Sequence, residues 1–530
     1  MKTLFADYAK SLHFFNGSVL RFLFRGGVCF GLVCCSSIVG FAENKAPIRY
    51  SDFGAKGDGK TDDSEAIAKA HQEANSKGLP VVADDKATYY ISGASQPIII
   101  QTNTDFGKAQ FVIDDTKPTK STAPVFEVQS KLGAIKSVAT PANIKKSQTR
   151  IEGVFPSACV VILTDSNVKR FIREGRNQNN GSSQTDAVIV DSKGNIDPAT
   201  PLNWDFEAVT DMKVYPIDPE PLVVKGGIFT TIANAEESIS YFGRGIKITR
   251  SNVEVVGLEH RIIGEGDKGP PYGGFISGSD CANLTVKDTV VCGHKTFIKI
   301  GSAQKSVPMG SYDLLFSRVL NVMLLRCTQF NDIMDKSRWG VIGTNFCKNI
   351  TYDACKLSRF DAHQGVTNAT IRNSTLGHMG VRLTGFGTFL IENSTVHASE
   401  FIGLRPDYGS TWTGDIIIRK CKFLSSSPVA ILGFTNDGTH NFGYQCQMPT
   451  RLIVEGLTIE DGKVPNKKGG IFVFNDGGSK SGETNHPAPF PYLVTKEVLL
   501  KDVTTTSGTP LKLSNHPKLF KDTQVEGLKE

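Results

Sequence analysis

Arg359, Asp361 and His363 alternate with Phe360 and Ala362; further along, Val381 and Leu383 flank Arg382, His378 lies just before them, and Glu400 and Arg405 bracket Ile402 and Leu404. Asn331, Asp332, Asp335, Lys336 and Arg338 precede this run, and Asp407, Tyr408 and Trp412 continue it. Successive side chains of a strand point to opposite faces. If Phe360, Ala362, Val381, Leu383, Ile402 and Leu404 face a core, then Asp361, His363, Arg382 and Arg405 face solvent. An imidazole beside a guanidinium is a base held neutral by its neighbour's charge. Such a set suits β-elimination on a uronic-acid polysaccharide, which needs a positive charge against the carboxylate, a base for the C5 proton and a donor for the departing oxygen. The roles expected are His363 as base, Arg382 helped by Arg405 or Arg359 against the carboxylate, and Tyr408 or His378 as donor. Asp361 would orient the imidazole, while Lys336, Arg338, Glu400 and Trp412 would contact substrate. Two alternatives stand beside this reading. One is hydrolysis, with Asp361 paired to Glu400, Asp332 or Asp335 as acid and base. The other is a non-catalytic glycan-binding or adhesive solenoid; separately, in a purely structural role His363 and Arg382 would form an outward ion-pair ladder with Asp361.

The elements that must position these residues repeat. A frame starting at Asn252, Asn283, Asn321, Asn349, Asn368, Thr388, Asp415 and Arg451 has apolar residues one and three positions on: Val253/Val255, Leu284/Val286, Val322/Leu324, Ile350/Tyr352, Ala369/Ile371, Phe389/Ile391, Ile416/Ile418 and Leu452/Val454. Such alternation is a strand with one face buried. The eighth position is apolar again at Val291, Leu357, Leu376, Val396, Phe423 and Ile459. The sixth is small at Cys327, Cys355, Ser374, Ser394 and Cys421, as in a ladder inside a corner. A fixed core with length variation confined to turns is a solenoid signature, and we read an all-β parallel β-helix. The ionisable residues collect ten to seventeen positions after the frame starts, which places His363 beside Arg382 and Arg359 beside His378 in adjacent coils. His260 and Tyr352 fall on inward positions and read as core. Asn283, Asn349, Asn368, Asn373 and Asn393 begin Asn-x-Thr sequons, but their recurrence follows the coil frame, which favours side-chain hydrogen-bond ladders over glycosylation.

At 530 residues, with 52 glycines and 39% hydrophobic residues, the chain suits one elongated solenoid, whose core grows along an axis. The net charge of +6 is modest and the basic residues are dispersed. No phosphate-cradling glycine loop is present, so neither nucleotide nor nucleic-acid binding is indicated. Residues 1–42 read as a signal peptide: Lys2, Lys10, Arg21 and Arg25, then an uncharged run from Gly26, then small residues before a cut after Ala42. Export follows, to the periplasm, cell surface or medium, with no membrane attachment after cleavage. The cysteines beyond this leader lack the spacing of a zinc site or a disulfide framework.

Asp52-Phe53-Gly54-Ala55-Lys56-Gly57-Asp58-Gly59 forms a tight loop, Thr61-Asp62-Asp63 supplies carboxylates for a helix start, and Ala66, Ile67, Ala70 and Ala74 follow at helical spacing up to Gly78. A helix here would cover an open sheet end that otherwise invites aggregation. This opening run and the later Asn-x-Thr-Ile coils resemble the pectate-lyase-like superfamily of right-handed parallel β-helix proteins, which includes polysaccharide lyases, polygalacturonase-type hydrolases and tailspike depolymerases. The resemblance covers roughly residues 48–100 and 245–465. It implies a right-handed helix with an N-terminal capping helix, and with the charged strip it points to an acidic polysaccharide as the partner of a monomer. No cofactor is expected, although some lyases of the superfamily use calcium to hold the substrate carboxylate. Gly377-His378-Met379-Gly380 resembles the Gly-His-Gly element of polygalacturonases, but their Asn-Thr-Asp and paired Asp-Asp elements are missing from the corresponding coils. The organisation expected is a cap and first coil over 43–100, early coils with inserted loops over 101–245, regular coils carrying the site over 246–465, and a last coil with a C-terminal cover over 466–530. Within the second region, 124–128 and 187–190 read as coil strands, and the basic, amide-rich loop 169–181 is placed to reach over a cleft.

Overall fold

The computed structural model describes residues 46–528, except 137, 425–429, 437, 462–469, 478–488 and 517. The expected signal peptide lies outside the described residues. The coils build three parallel faces around one continuous core. On the first face the eight frame copies stack in the expected register: Val253/Val255 pair with Leu284/Val286, and the stack continues through Val322/Leu324, Ile350/Tyr352, Ala369/Ile371, Phe389/Ile391 and Ile416/Ile418 to Leu452/Val454. It extends past the frame to Leu222/Val224 at one end and Val498/Leu500 at the other. On the second face Leu357, Leu376, Val396, Phe423 and Ile459 stack and are buried. The third face precedes each frame strand and carries Ile342–Asn345, residues 360–364, residues 381–383, Glu400–Leu404 and Ala430–Phe434.

The frame asparagines explain how each coil turns from the third face into the first. Asn252, Asn283, Asn321, Asn349 and Asn368 have φ between 55° and 63°, a left-handed conformation that asparagine tolerates better than most residues. Asn252 donates to the Asp218 carbonyl, and each later side-chain amide donates to the asparagine one coil before it: Asn283 to Asn252 at 2.7 Å, Asn321 to Asn283 and Asn349 to Asn321 at 2.9 Å, and Asn368 to Asn349 at 3.2 Å. The sequons of this row thus form a hydrogen-bond ladder. Asn321→Ala removes two ladder bonds and strains the backbone, so we expect a loss of about 1–3 kcal/mol in urea unfolding. Asn321→Gly should recover the backbone share. The corner ladder is present too. Cys327, Cys355, Ser374, Ser394 and Cys421 are buried, and the Cys355 N–H donates to Ser374 Oγ and the Ser374 N–H to Ser394 Oγ, each at 3.0 Å. The described cysteines are all free, buried thiols.

The helix Ser64–Lys77 buries Ile67, Ala70 and Ala74 and stops at Gly78, whose φ of 67° ends it. Its Asn75 grips the neighbouring coil by donating to the Ile99 carbonyl at 2.7 Å. Asp63 braces the preceding loop rather than the helix start, accepting from the Lys56 and Gly57 N–H groups at 2.6 and 3.0 Å. Between residues 128 and 222 the solenoid is interrupted. Phe126–Val128 is a coil strand as expected, but 187–190 belongs to an inserted antiparallel sheet of Cys159–Arg170, Ser182–Val190 and Asp211–Pro216 with its own small core. Short apolar runs read alike in both settings, which is why the sequence misassigns this one. Lys348 Nζ pairs with Asp186 of the insert at 2.7 Å and Asn203 donates to Thr367 at 2.9 Å, clamping the insert to the coils. Near the C-terminus, Ile471–Asp476, Glu497–Lys501, Leu511–Ser514 and Gln524–Glu526 continue the stacks, so this region holds more than one last coil.

Candidate functional site

The third face positions the site. Phe360, Ala362, Val381, Leu383, Ile402 and Leu404 are all buried in the core, as the alternation requires. The register between coils, however, departs from the sequence offset. Arg382 stacks on Asp361, not on His363, and Arg359 stacks on Gly380, not on His378. One residue separates Leu357 from Arg359, whereas Gly377, His378 and Met379 separate their partners Leu376 and Gly380. The two extra residues form a bulge. His378 rides on it, its N–H donating to the Ile333 carbonyl at 3.0 Å, and so leaves the row assigned to it.

Asp361 is not the open carboxylate expected. Its side chain has no exposed surface and lies between Arg359 at 3.0 Å and Arg405 at 2.9 Å. Arg405 also holds Asp407 at 3.0 Å, and Asp407 holds Arg173 at 2.8 Å. Arg173 comes from the basic loop 169–181, which does reach over the coils: the Glu174 N–H donates to the Asp407 carbonyl at 3.1 Å, and Phe171 is buried against Phe346 and Tyr408. The result is a chain of three arginines and two aspartates. Among the described residues the buried Nε of each arginine has no hydrogen-bond partner, nor has the buried Nη1 of Arg359. Arg382 instead binds Glu400 at 3.0 Å, lying over Gly403, where any Cβ would collide with its guanidinium.

The other substrate contacts expected from sequence scatter. Trp412 is fully buried and donates from Nε1 to the Gly387 carbonyl at 3.0 Å, so it is a core residue; its strand register turns it inward beside Phe389. Arg338 is committed to the Gly293 carbonyl at 2.7 Å and to Asp335 at 3.2 Å, and Lys336 is exposed in the same turn. Tyr408 is buried, its ring 5.5 Å from that of His363 and 5.7 Å from the guanidinium carbons of both Arg173 and Arg405. Burial, with Asp407 adding, pushes its phenol up to about 12 against the opposing arginines.

His363 lines a cleft of about 370 Å³ together with Tyr241, Phe242, Tyr312, Leu315 and Asn345. Its Nδ1 lies 2.8 Å from Asn345 Oδ1. A carbonyl oxygen only accepts, so Nδ1 carries the proton and Nε2 keeps its lone pair. Burial, then Arg405, Arg173 and Arg359, hold the imidazole well below its usual pKa, as a neutral base. The Tyr241 and Tyr312 rings are nearly parallel, 6.5 Å apart. Burial and Asp361 raise the Tyr312 phenol while the three arginines oppose them, so it remains protonated near neutrality. Sequence reasoning misses Tyr241, Tyr312 and Asn345, and reaches Arg173 only as part of the basic loop 169–181. The coil starting at Asn321 is long, so the window that fits its neighbours lands on the turn 331–338 instead of the strand Ile342–Asn345.

Next in chain to Tyr312, Asp313 turns inward and accepts from His260 Nδ1 at 2.7 Å and His294 Nε2 at 3.1 Å, while His294 Nδ1 lies 3.6 Å from Glu265. His260 is thus the core histidine expected, though it is tied to a buried carboxylate. Burial raises Asp313, but the two histidines outweigh it and leave the carboxyl below its ordinary 3.8. Burial likewise disfavours charge on His294, but Asp313 and Glu265 outweigh it and raise it to about 9. Asp313's contribution to stability is therefore complete above its ordinary pKa and lost in stronger acid. That of His294 is complete below its ordinary 6.5 and fades as pH rises through about 9. Thermal unfolding followed across pH should show on the order of 2–3 kcal/mol lost from pH ~6 to ~10, and Asp313→Asn should flatten that slope.

Among the described residues no three His, Cys, Asp or Glu side chains converge as a metal-binding set, and no helix is long and apolar enough to cross a membrane. In sequence the chain matches no known family model and no curated protein. In structure it is similar to the tailspike gp61 of Pseudomonas phage phi297, with 13% identity, 91% of this chain and 84% of that one covered, and a TM-score of 0.52. It is also similar to the tailspike gp49 of Pseudomonas phage LKA1, with 11% identity, coverage of 90% and 84%, and a TM-score of 0.51. A third, the Gp54 tailspike of Acinetobacter baumannii bacteriophage AP22, was solved in complex with A. baumannii capsular saccharide and has 11% identity, coverage of 91% and 79%, and a TM-score of 0.50. At such identities the likeness concerns fold alone, and the fold is the parallel β-helix that the repeated coil frame leads one to expect.

Proposed function

We propose that this protein acts outside the cell or at a surface as a polysaccharide lyase, cleaving a uronic-acid-containing polymer by β-elimination. The observation that carries the reading is His363: a neutral imidazole with Nδ1 tied to Asn345, lining a cleft and lying within the field of three arginines. Its Nε2 takes the C5 proton. Arg173 and Arg405 oppose the substrate carboxylate and so acidify that proton. Tyr312, a protonated phenol on the cleft wall, gives its proton to the departing glycosidic oxygen as the C4–O bond breaks and the C4–C5 double bond forms. Arg382 and Glu400 lie farther along the same face as contacts for the extending chain. The tailspike solved in complex with a capsular saccharide supports a polysaccharide as ligand.

Hydrolysis by paired carboxylates finds less support. Asp361 is enclosed by two arginines, Glu400 is paired with Arg382, Asp335 is occupied by Ser337 and Arg338, and Asp332 sits exposed in the same turn, accepting from the Met334 N–H. Incubation with pectin, alginate and glycosaminoglycans decides between the classes. Ultraviolet absorbance from an unsaturated uronate is the expected product; new reducing ends without it would mean hydrolysis, and saturable binding with neither would mean a binding protein. Activity that disappears on chelation and returns with calcium would add the ion to this scheme.

A further inference from the structure

The cleft beside His363 is uncharged. Among the described residues no Lys, Arg, Asp or Glu lines it; its polar side chains are Thr122, Asn345, His363 and the two tyrosine hydroxyls. Leu315, Phe242 and the faces of Tyr241 and Tyr312 supply the rest, and Gly343 keeps the floor open, since a Cβ there would already press on the Tyr312 and Leu315 side chains at 3.1 and 3.2 Å. Tyr241 is 37% exposed, so its ring is open to a ligand. The positive charge lies outside this lining, in Arg173, Arg359 and Arg405, near enough to act on the His363 ring. The base therefore belongs to an apolar, aromatic compartment and feels a cationic one.

A carboxylate placed in the apolar compartment would lose its hydration without gaining a cation from the walls. An uncharged sugar ring, whose C–H face packs on an aromatic ring while its hydroxyl or amide groups reach Asn345 and Thr122, loses nothing comparable. We infer that the cleft is a subsite for a neutral sugar, and that the polymer bound here alternates neutral residues with its uronates instead of being a homopolyuronate. Cleavage of that polymer rests on the elimination reading above; binding of the neutral sugar does not.

The test uses the full chain, with oligosaccharides of equal length: oligogalacturonate and oligomannuronate as homopolyuronates, and hyaluronan and heparosan fragments as polymers alternating a uronate with N-acetylglucosamine. Calorimetric affinity and unsaturated product are read separately. The alternating fragments should bind about tenfold more tightly, and Tyr241→Ala should erase the difference. Gly343→Leu, which fills the cleft from the floor, should do the same, with circular dichroism confirming that both variants fold. Equal or tighter binding of the homopolyuronates overturns the subsite, as does a preference that survives both variants, or no measurable binding of either class. The expected preference without any unsaturated product leaves the subsite in place and removes the lyase assignment.

Discussion

Replacing His363 with alanine should leave a folded protein whose turnover has fallen by roughly 10²- to 10⁴-fold, the range for losing a positioned general base. The side chain is only partly buried and points away from the core, with Asn345 as its hydrogen-bond partner, so its removal opens no core cavity. The pH profile carries the same signature. Elimination needs the unprotonated imidazole, and its depressed pKa keeps that form populated as pH falls past 6.5, the ordinary histidine value. The acid limb of the rate should therefore lie well below the usual histidine range. Asn345→Ala, which frees the ring to rotate and exchange tautomers, should lower the maximal rate more than it raises the half-saturation concentration. An acid limb near the ordinary value would mean that neither burial nor the three arginines hold this histidine down.

Asp361→Asn should behave in the opposite way. The substitution keeps the shape but leaves Arg359 and Arg405, whose side chains are 4% and 12% exposed, without the carboxylate between them. Removing one partner of a buried pair costs about 3–5 kcal/mol, so the main result should be lower resistance to denaturant. The turnover of the protein that remains folded should change far less than in His363→Ala. Were Asp361 an acid, a base or the group that orients His363, the variant would instead fold normally and lose its rate. Asp361→Ala, which removes the side chain altogether, should destabilise at least as much.

Much of this molecule is legible in the chain because solenoid coils bury their residues locally. The alternation at Val253/Val255 and its seven repeats states which face is inward, and the asparagine that opens most of the frames states where the backbone turns left-handed; both are local facts. What the chain does not state depends on length differences between coils. Gly377, His378 and Met379 displace the row by two positions, which moves Arg382 from His363 to Asp361 and takes His378 out of line. Nearness to Tyr408 in sequence places Trp412 at the surface, yet the 3₁₀ turn Pro406–Tyr408 and the strand after it rotate it into the core. Asn345 and Tyr312 precede their frame strand, on a face for which the repeat offers no template. Arg173 arrives from an inserted sheet more than two hundred residues before Asp407, and no spacing rule connects them. The basic composition of its loop is the only signal.

If His363 removes the proton that lets the glycosidic bond break by elimination, the products themselves must report it. Wild type and folded His363→Ala, at equal concentration, are to be followed by ultraviolet absorbance on a uronate-containing polysaccharide. A rising unsaturated-uronate band is expected with wild type and almost none with the variant. The same band at the same rate from both proteins would contradict a role for this imidazole as the base.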